Sequence, residues 1–312
     1  ATMQEQKEKG VRITATGYTN DALLQTLNGA ASITVNNQFS LYRYAAFFGR
    51  INYQLNSRYI LNLTGRRDGS TKFGPGRQWG SFGAIGAAWI FSSEGFASKF
   101  KNWLSFGKIR LSYGSSGNDQ IANYQYMDGW GVQSNPYQSV PGIAPARLFN
   151  PKYSWELSRK MEAGLELGFF NNKILSEISF YRHRSGNQLV QYALPAQTGF
   201  TSIIANLPAL IQNTGIELSI QAKIIDRTNL KWSLNGVVTL PHNKLLSFPD
   251  LETSSYATSY VIGEPLTLLY SYLFTGIDST TGVYRFQDIN NDGKYTRDDY
   301  SINGNVAPKY YG

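Results

Sequence analysis

The chain has 312 residues, a formal net charge of +8 and 14% aromatic residues, and it contains no cysteine. The absence of cysteine excludes disulfides, thiolate metal sites and a cysteine nucleophile. The Lys and Arg residues are scattered along the chain rather than concentrated in one basic run, which argues against a nucleic-acid-binding protein. No run of about 18 apolar residues is present, so the sequence encodes no transmembrane helix.

Residues 1–43 are predicted to form an irregular, polar segment with one short helix. Asn20 or Asp21 can cap this helix, because a side-chain oxygen at that position accepts a hydrogen bond from a free amide of the first turn. Gly29 can end it, since glycine readily adopts the left-handed conformation that closes many helices. The apolar face of the helix would consist of Leu23, Leu24 and Leu27.

Residues 44–242 are predicted to form about eight antiparallel strands joined by loops. Apolar Tyr59, Leu61 and Leu63 alternate with polar residues, which is the pattern of a strand with one apolar and one polar face. The most regular alternation is that of residues 216–223. The predicted strands are residues 44–55, 58–67, 79–91, 104–114, 155–169, 173–184, 216–223 and 230–240.

The length of these strands favours a membrane-spanning sheet over a soluble one. Residues 59–67 approach the roughly 9 to 11 residues that a tilted strand needs to cross a bilayer. On this interpretation the apolar side of the strands faces lipid, and it includes Leu61, Leu218 and Leu234.

Short and long connections alternate along the predicted strands. Tight turns are expected at residues 56–57, 171–172 and 226–229, and a short return at residues 92–102. In outer-membrane barrels such turns lie on the periplasmic side, and the long loops lie outside. Aromatic residues beside these turns would form a girdle at the membrane interface. They are Tyr53, Tyr59, Phe91, Trp103, Phe169, Phe170 and Trp232.

Residues 44–92 read YAAFFGRINYQLNSRYILNLTGRRDGSTKFGPGRQWGSFGAIGAAWIFS. This segment resembles the barrel of the SusC/RagA family of TonB-dependent outer-membrane transporters. The resemblance implies an all-β fold, in which about eight strands are a portion of a transmembrane antiparallel barrel of 22 strands with long extracellular loops. It also implies a Gram-negative outer-membrane location. The plug, the N-terminal part and the last strands of such a protein would lie outside this sequence.

The same resemblance assigns all of residues 1–312 to one TonB-dependent receptor β-barrel domain. Residues 243–307 would be a long extracellular excursion, and residues 308–312 would begin the next strand. The implied function is active import of a bulky nutrient, either a glycan or an oligopeptide. The implied partners are a SusD-like surface lipoprotein, TonB acting through the plug, and outer-membrane lipid.

Two other classes of protein stay open on the residues alone. A secreted carbohydrate-binding β-sandwich would use loop tryptophans such as Trp130. An outer-membrane barrel enzyme would need catalytic groups, and no catalytic residue is predicted. Glu162 and Glu166 are an even number of residues apart and therefore share one face of a strand, where lining of the lumen is the commoner role than a pair of glycosidase carboxylates.

Residues 288–299, DINNDGKYTRDD, have the ligand spacing of an EF-hand loop, with glycine at the sixth position. This spacing predicts a structural Ca²⁺ ion. The predicted ligands are Asp288, Asn290, Asp292, the carbonyl of Lys294, and Asp299. Two features depart from the pattern, because the last ligand is Asp rather than Glu and the preceding GVYRFQ is typical of a strand rather than a helix. The alternative is an Asn/Asp/Gly turn that binds no ion.

Overall fold

The computed structural model describes residues 1–133, 138 and 140–308. Its largest element is one antiparallel sheet of nine strands, and three further sheets have two strands each. The predicted all-β fold class is therefore confirmed. Within the described residues, no helix is long and apolar enough to cross a membrane.

Within residues 1–133, 138 and 140–308, fifteen strands follow one another. They are β1 (Thr2–Thr16), β2 (Ser32–Leu55), β3 (Tyr59–Ser70), β4 (Trp79–Trp89), β5 (Leu104–Asn118), β6 (Gly129–Val132), β7 (Ile143–Arg147), β8 (Glu156–Phe169), β9 (Ile174–Ala193), β10 (Ser202–Arg227), β11 (Leu230–Ser247), β12 (Leu268–Tyr272), β13 (Phe274–Ile277), β14 (Tyr284–Phe286) and β15 (Tyr300–Asn305). The large sheet has the order β1-β2-β3-β4-β5-β8-β9-β10-β11, so each strand pairs with its neighbour in sequence except where the β6–β7 hairpin intervenes.

Short 3-10 helices occupy several connections. They are Asp21–Gln25, Leu27–Gly29, Phe91–Ser93, Gly95–Phe100, Ala196–Thr198, Leu251–Thr253 and Arg297–Asp299.

The register of the large sheet sorts its side chains into two faces. One row of directly opposed residues is entirely apolar: Leu55, Tyr59, Trp89, Ile109, Leu165, Ile178, Leu218 and Val238. The next row, on the other side, contains Gln54, Ile60, Ala88, Arg110, Gly164, Ser179, Glu217 and Thr239. The two sides are called the apolar face and the polar face below.

No other sheet in the part of the chain that the structure describes covers the apolar face. Leu61 is 37% exposed and Leu234 is 59% exposed, and Leu218 is half-buried. A sandwich would bury these leucines against a second sheet about 10 Å away, but the other sheets of the described residues have only two strands each. The sandwich alternative is therefore wrong.

One end of the sheet carries the tight turns predicted from the sequence. Asn56 and Ser57 have φ values of 50° and 56°, as a two-residue type I′ turn requires. Asn171 and Asn172 have φ values of 58° and 60°. Among the aromatic residues expected here, Trp103 stacks on Phe169 with ring centroids 5.8 Å apart. This end is called the turn end, and the opposite end is called the loop end.

The prediction that residues 1–43 form a loop is wrong. Thr2–Thr16 is a strand that pairs in continuous register with the first half of β2, which begins at Ser32 rather than at residue 44. The charged QEQKEK segment has weak strand propensity, but its backbone completes the hydrogen-bonded ladder of a neighbouring strand. The helix is two 3-10 turns, and Asn20 caps the first by accepting a hydrogen bond of 2.9 Å from the amide of Ala22.

The strands also extend further toward the loop end than predicted. β9 reaches Ala193 and β10 begins at Ser202, whereas residues 185–212 were expected to be a loop. β11 continues to Ser247, so the excursion begins at residue 248 rather than 243. Alternation weakens in these extensions because neither face needs to be uniformly apolar there. Residues 309–312, most of the expected next strand, lie outside the described residues.

The main hydrophobic core lies at the loop end, where the excursion packs on the sheet. Leu245 is 1% exposed and Phe248 4% exposed, and Tyr256 and Tyr260 pack against them. The backbone of Leu245 also exchanges hydrogen bonds of 2.8 and 2.9 Å with the segment around Glu264. The rest of the excursion holds two small sheets, β12–β15 and β13–β14.

The assignment of the two faces predicts unequal effects for adjacent substitutions in the intact protein. Leu218→Arg places a charge on the apolar face and is expected to lower the free energy of unfolding in lipid vesicles by roughly 2 to 4 kcal/mol near mid-membrane. Ser219→Arg projects from the polar face and is expected to have little effect. Equal losses in denaturant titrations of the two variants would contradict the assignment.

Candidate functional site

A cleft of about 500 Å³ opens on the polar face near the loop end. It lies where β2, β3, β4 and β5 meet the segment that follows β5. Its lining combines aromatic and charged groups, including Tyr42, Tyr44, Arg66, Asp68, Phe82, Asp119 and Trp155. Pockets that bind small molecules or polymer segments commonly have this mixture of apolar wall and a few placed polar groups.

An ion pair forms one side of the cleft, and it joins a buried carboxylate to an arginine whose side chain is 43% exposed. Arg66 and Asp68 are two residues apart on β3, so their side chains project from the same face. Arg66 Nε donates hydrogen bonds of 2.6 and 2.7 Å to the two carboxylate oxygens of Asp68, which is 7% exposed. Arg66 Nη2 also donates to the hydroxyl of Tyr44. These bonds fix the position of the Tyr44 ring and neutralise the buried carboxylate.

The segment after β5 closes a second side. The hydroxyl of Tyr42 donates a hydrogen bond of 2.8 Å to Asp119 Oδ2. Lys72 Nζ donates one of 3.0 Å to the carbonyl of Asp119, and it lies 4.5 Å from the centroid of the Tyr42 ring. A little further along, Tyr124 accepts a hydrogen bond of 2.7 Å from the amide of Leu41. The segment is therefore held across the polar face of β2.

An aromatic cluster forms the third side. The centroid of the Trp155 ring lies 4.7 Å from that of Phe73 and 5.6 Å from that of Phe82. Trp155 Nε1 donates a hydrogen bond of 3.0 Å to the carbonyl of Gln78. Phe82 fits here because a side chain at Gly80 would collide with its ring. The cluster gives the cleft a rigid apolar wall.

Tyr153 lies beneath this wall and is 1% exposed. Burial, with a smaller contribution from the carboxylate of Glu156, raises the pKa of Tyr153 to about 12. The phenol therefore stays neutral at physiological pH.

The cleft is not predicted by any of the sequence patterns described above. One feature of the sequence could have indicated it. Tyr42 and Tyr44 are aromatic, yet they lie on the polar face of β2, whereas most of the apolar residues of this strand lie on its other face. The loop tryptophan singled out from the sequence, Trp130, does not line the cleft. It lies in β6, is 61% exposed and donates a hydrogen bond of 3.0 Å to Asp128. Tyr137, another aromatic residue of the same long loop between β5 and β8, lies outside the described residues.

A network of ion pairs occupies the polar face closer to the turn end. Glu162 and Glu166 share this face as predicted. Arg110 forms an ion pair with Glu162, and its Nε lies 3.2 Å from Glu166 Oε1. Its Nη2 lies 2.5 Å from Glu177 Oε1. Lys108 Nζ lies 3.0 Å from Glu166 Oε1. Each of these carboxylates has a cationic partner. The ion pairs therefore hold these long side chains against the polar face of the sheet.

The predicted calcium loop is an ordered turn in which carboxylates accept backbone amides. Asp288 Oδ2 accepts a hydrogen bond of 2.8 Å from the amide of Gly293, and Asp292 Oδ1 accepts one of 2.8 Å from the amide of Lys294. Asn290 Oδ1 accepts one of 3.1 Å from the amide of Asp292. Asp288, Asn290 and Asp292 therefore share one turn.

Asp299, the last predicted ligand, is fully buried next to this turn. Its carboxylate accepts hydrogen bonds of 2.9 Å from the amide of Thr296 and 2.8 Å from that of Ile289. These hydrogen bonds hold the pKa of Asp299 below its usual range, and the bond from the Thr296 amide has the largest effect. Burial acts in the opposite direction. No group of three or more His, Cys, Asp or Glu side chains in the described part of the chain is placed to hold a metal ion. Calcium binding stays a prediction.

The fold and the cleft together define a class of protein. A continuous antiparallel wall with one exposed apolar face and one polar, ion-paired face is a portion of a transmembrane β-barrel that encloses a polar lumen. The chain belongs to the family of TonB-dependent receptor-like β-barrels, whose family model matches residues 8–311. TonB-dependent receptor barrels are outer-membrane proteins, and the family consists of receptors and transporters.

The resemblance to SusC/RagA transporters is confirmed by named relatives. TonB-dependent receptor P26 of Formosa agariphila is 30% identical over 340 residues, which cover 99% of this chain and 34% of the relative. TonB-dependent receptor SusC of Bacteroides thetaiotaomicron is 31% identical over 218 residues, covering 68% of this chain and 22% of the relative. The solved RagAB peptide transporter shares the fold with a TM-score of 0.79 at 24% identity, covering 96% of this chain and 35% of that chain. The chain thus spans about a third or less of these proteins.

The amide bonds to Asp299 predict acid sensitivity of the loop. A carboxyl with a lowered folded pKa stabilises the folded loop above its unfolded pKa of about 3.9, and this stabilisation is lost as pH falls through the lowered folded value. Hydrogen exchange of residues 288–299, normalised to the unfolded peptide at each pH, should therefore rise below about pH 4. Asp299→Asn should remove this pH dependence, whereas the adjacent Asp298→Asn should keep it. An Asp299→Asn loop that retains it would assign the effect to another group.

Proposed function

We propose that the chain is part of the wall of a TonB-dependent transporter that imports a bulky nutrient, a glycan or an oligopeptide, across the Gram-negative outer membrane. The observation that carries this proposal is the cleft on the polar face, because that face lines the lumen when the apolar face contacts lipid. Tight turns of outer-membrane barrels lie on the periplasmic side. The turn end is therefore periplasmic, and the cleft lies in the outer part of the lumen, where a nutrient enters.

The chemistry of the cleft suits both candidate nutrient classes. Tyr42, Tyr44 and Trp155 offer ring faces for the C–H surface of a sugar or for an apolar side chain of a peptide. Asp119 and Arg66 offer hydrogen bonds to hydroxyl or amide groups. The similar RagAB is described as a peptide transporter, and this description supports a peptide only for that protein. The paired carboxylates of the wall support transport rather than hydrolysis as the function.

The proposed partners follow from the orientation. TonB would act through a plug domain inside the lumen, on the periplasmic side. A SusD-like lipoprotein would rest on the loop end, where the excursion from residue 248 onward forms an ordered surface that shares a hydrophobic core with β10 and β11. The ordered core supports this assignment, because a lid needs a firm rim on which to close.

Filling the cleft tests the transport proposal without removing any observed contact. Ala84 lines the cleft on β4, and Ala87 lies three residues further on, on the apolar face. In the full-length transporter, Ala84→Trp is expected to lower nutrient binding and uptake by about tenfold or more, equivalent to about 1.4 kcal/mol. The matched variant Ala87→Trp adds the same ring toward lipid and is expected to leave uptake unchanged.

The readout is uptake of labelled nutrient by cells that express each variant at equal outer-membrane abundance. Equal uptake by Ala84→Trp and the wild type would show that nutrient does not pass through the cleft. Equal loss in both variants would show that bulk in β4 damages the barrel wherever it is added.

We also propose that the loop of residues 288–299 binds Ca²⁺ as a structural ion on the cell surface. Its donor set supports this, since Asp288, Asn290 and Asp292 supply the hard oxygen ligands that calcium prefers, from one turn. When bound, the ion would offset the repulsion among the carboxylates of this loop. Bulk calcium outside cells is high enough for a weak site to be occupied.

Calorimetric titration of the full-length transporter is expected to show Ca²⁺ binding with a Kd on the order of 10⁻⁴ to 10⁻³ M. Asp292→Asn removes a predicted ligand charge and is expected to abolish the binding heat, whereas Asp298→Asn, outside the predicted ligand set, is expected to retain it. Absence of binding at millimolar calcium in the wild type would identify the motif as a turn only.

A further inference from the structure

The apolar face carries an unexpected group of cations on β1, β2 and β3. Lys7, Lys9, Arg43 and Arg67 all project from this face, because they stand in register with its residues: Lys9 opposes Phe39, Lys7 opposes Leu41 and Arg67 opposes Phe47. Arg43 opposes Glu5 and forms an ion pair of 2.7 Å with it. These four cations are called the basic stripe.

The basic stripe lies between two apolar zones of the same face. Toward the turn end, Ile51 and Tyr53 are 66% and 56% exposed and belong to the belt that faces lipid. Toward the loop end, Val11 and Val35 are 66% and 55% exposed. The rows of Arg67 and Lys9 are eight residues of β2 apart, which is about 27 Å along the strand. The cations are thus spread over a range of depths rather than gathered at one level.

A cavity of about 540 Å³ lies within the stripe, lined mainly by apolar atoms of Met3, Ala45, Gly69 and Trp79. The Trp79 ring lies against Gly69, where a side chain would collide with it. The guanidinium of Arg67 lies 5.6 Å from the centroid of the Trp79 ring. Apolar space beside a cation held on an aromatic ring is a combination that suits an amphipathic molecule with an anionic head.

We propose that the basic stripe binds a phosphorylated glycolipid of the outer leaflet, whose apolar part enters the cavity and whose phosphates contact the cations. This inference rests on the proposed outer-membrane location. Lys and Arg bind phosphate through charge-assisted hydrogen bonds. Four cations against the one carboxylate of Glu5 give the stripe the positive sign that phosphates require.

The depth of the stripe selects among anionic lipids. A glycerophospholipid offers its phosphate at one level of the interface, where only one or two neighbouring rows of the stripe could reach it. A glycolipid with phosphates on an extended sugar headgroup offers charges at several levels, which matches cations spaced over about 27 Å. The stripe therefore fits the phosphorylated glycolipid better.

The same strands supply a matched control. Arg12 on β1 and Arg50 on β2 project from the polar face, because each is an odd number of residues from a member of the stripe on its strand. Arg50 donates a hydrogen bond of 3.3 Å to Asn62 on that face. Removing these two cations lowers the net charge of the strands without altering the apolar face.

The test uses the full-length outer-membrane protein, delipidated in a neutral detergent and incubated with purified lipopolysaccharide, and native mass spectrometry counts the bound glycolipid. The variant Lys7→Gln, Lys9→Gln, Arg67→Gln is expected to bind at least about tenfold less than the wild type. The variant Arg12→Gln, Arg50→Gln is expected to bind as the wild type does. Binding by the wild type should weaken as salt is raised, since exposed charges are screened.

Several results would overturn the proposal. Equal binding by both variants would show that the stripe is not the site. Equal binding of enzymatically dephosphorylated lipopolysaccharide would show that phosphate is not recognised, and equal competition by phosphatidylglycerol vesicles would assign the stripe to any anionic lipid. Failure of the membrane location itself is distinguishable, because the wild type would then be missing from the outer-membrane fraction, whereas failure of the stripe alone leaves it there without glycolipid.

Discussion

The register of the nine-stranded sheet is the constraint on which the rest of the molecule depends. Successive side chains of a strand point to opposite faces, so a slip of one residue between two neighbours would move a whole strand's apolar set to the lumen side. The row from Leu55 to Val238 contains no polar residue, which shows that the seven pairings from β2 to β11 hold the same phase. In lipid the ladder must also satisfy every backbone group, because no water is present to do so. Register thus fixes both faces and the backbone energetics together.

The polar face is organised by fixed charges rather than by a hydrophobic core. Near the turn end, Arg110 gathers three glutamates from two other strands, and near the loop end Arg66 holds Asp68 and the Tyr44 hydroxyl. Such pairs add modest stability, since desolvation offsets much of their attraction. Their larger effect is to hold long side chains against the wall. The cleft stays open between them, and the lumen presents a defined set of aromatic and polar groups.

Much of this architecture could be predicted from the sequence, where one face must be apolar along its whole length. Tight turns at Asn56 and Asn171 and the strand around Leu218 could be read from turn residues and alternation. β1 could not, because QEQKEK has no apolar face of its own and becomes a strand only by pairing with β2. The cleft was missed for a related reason. It depends on Asp119 and Trp155, which are distant in sequence from Tyr42 and meet it only after the sheet has formed.

The excursion that follows β11 has its own small sheets, and it shares a hydrophobic core with the ends of β10 and β11, through which it meets the wall. Insertions or replacements within it would leave the register of the nine strands untouched, because no rung of the large ladder passes through it. Wall and excursion can therefore change at different rates over evolutionary time. A lineage could acquire a new surface specificity by exchanging the excursion while it inherits the same membrane wall.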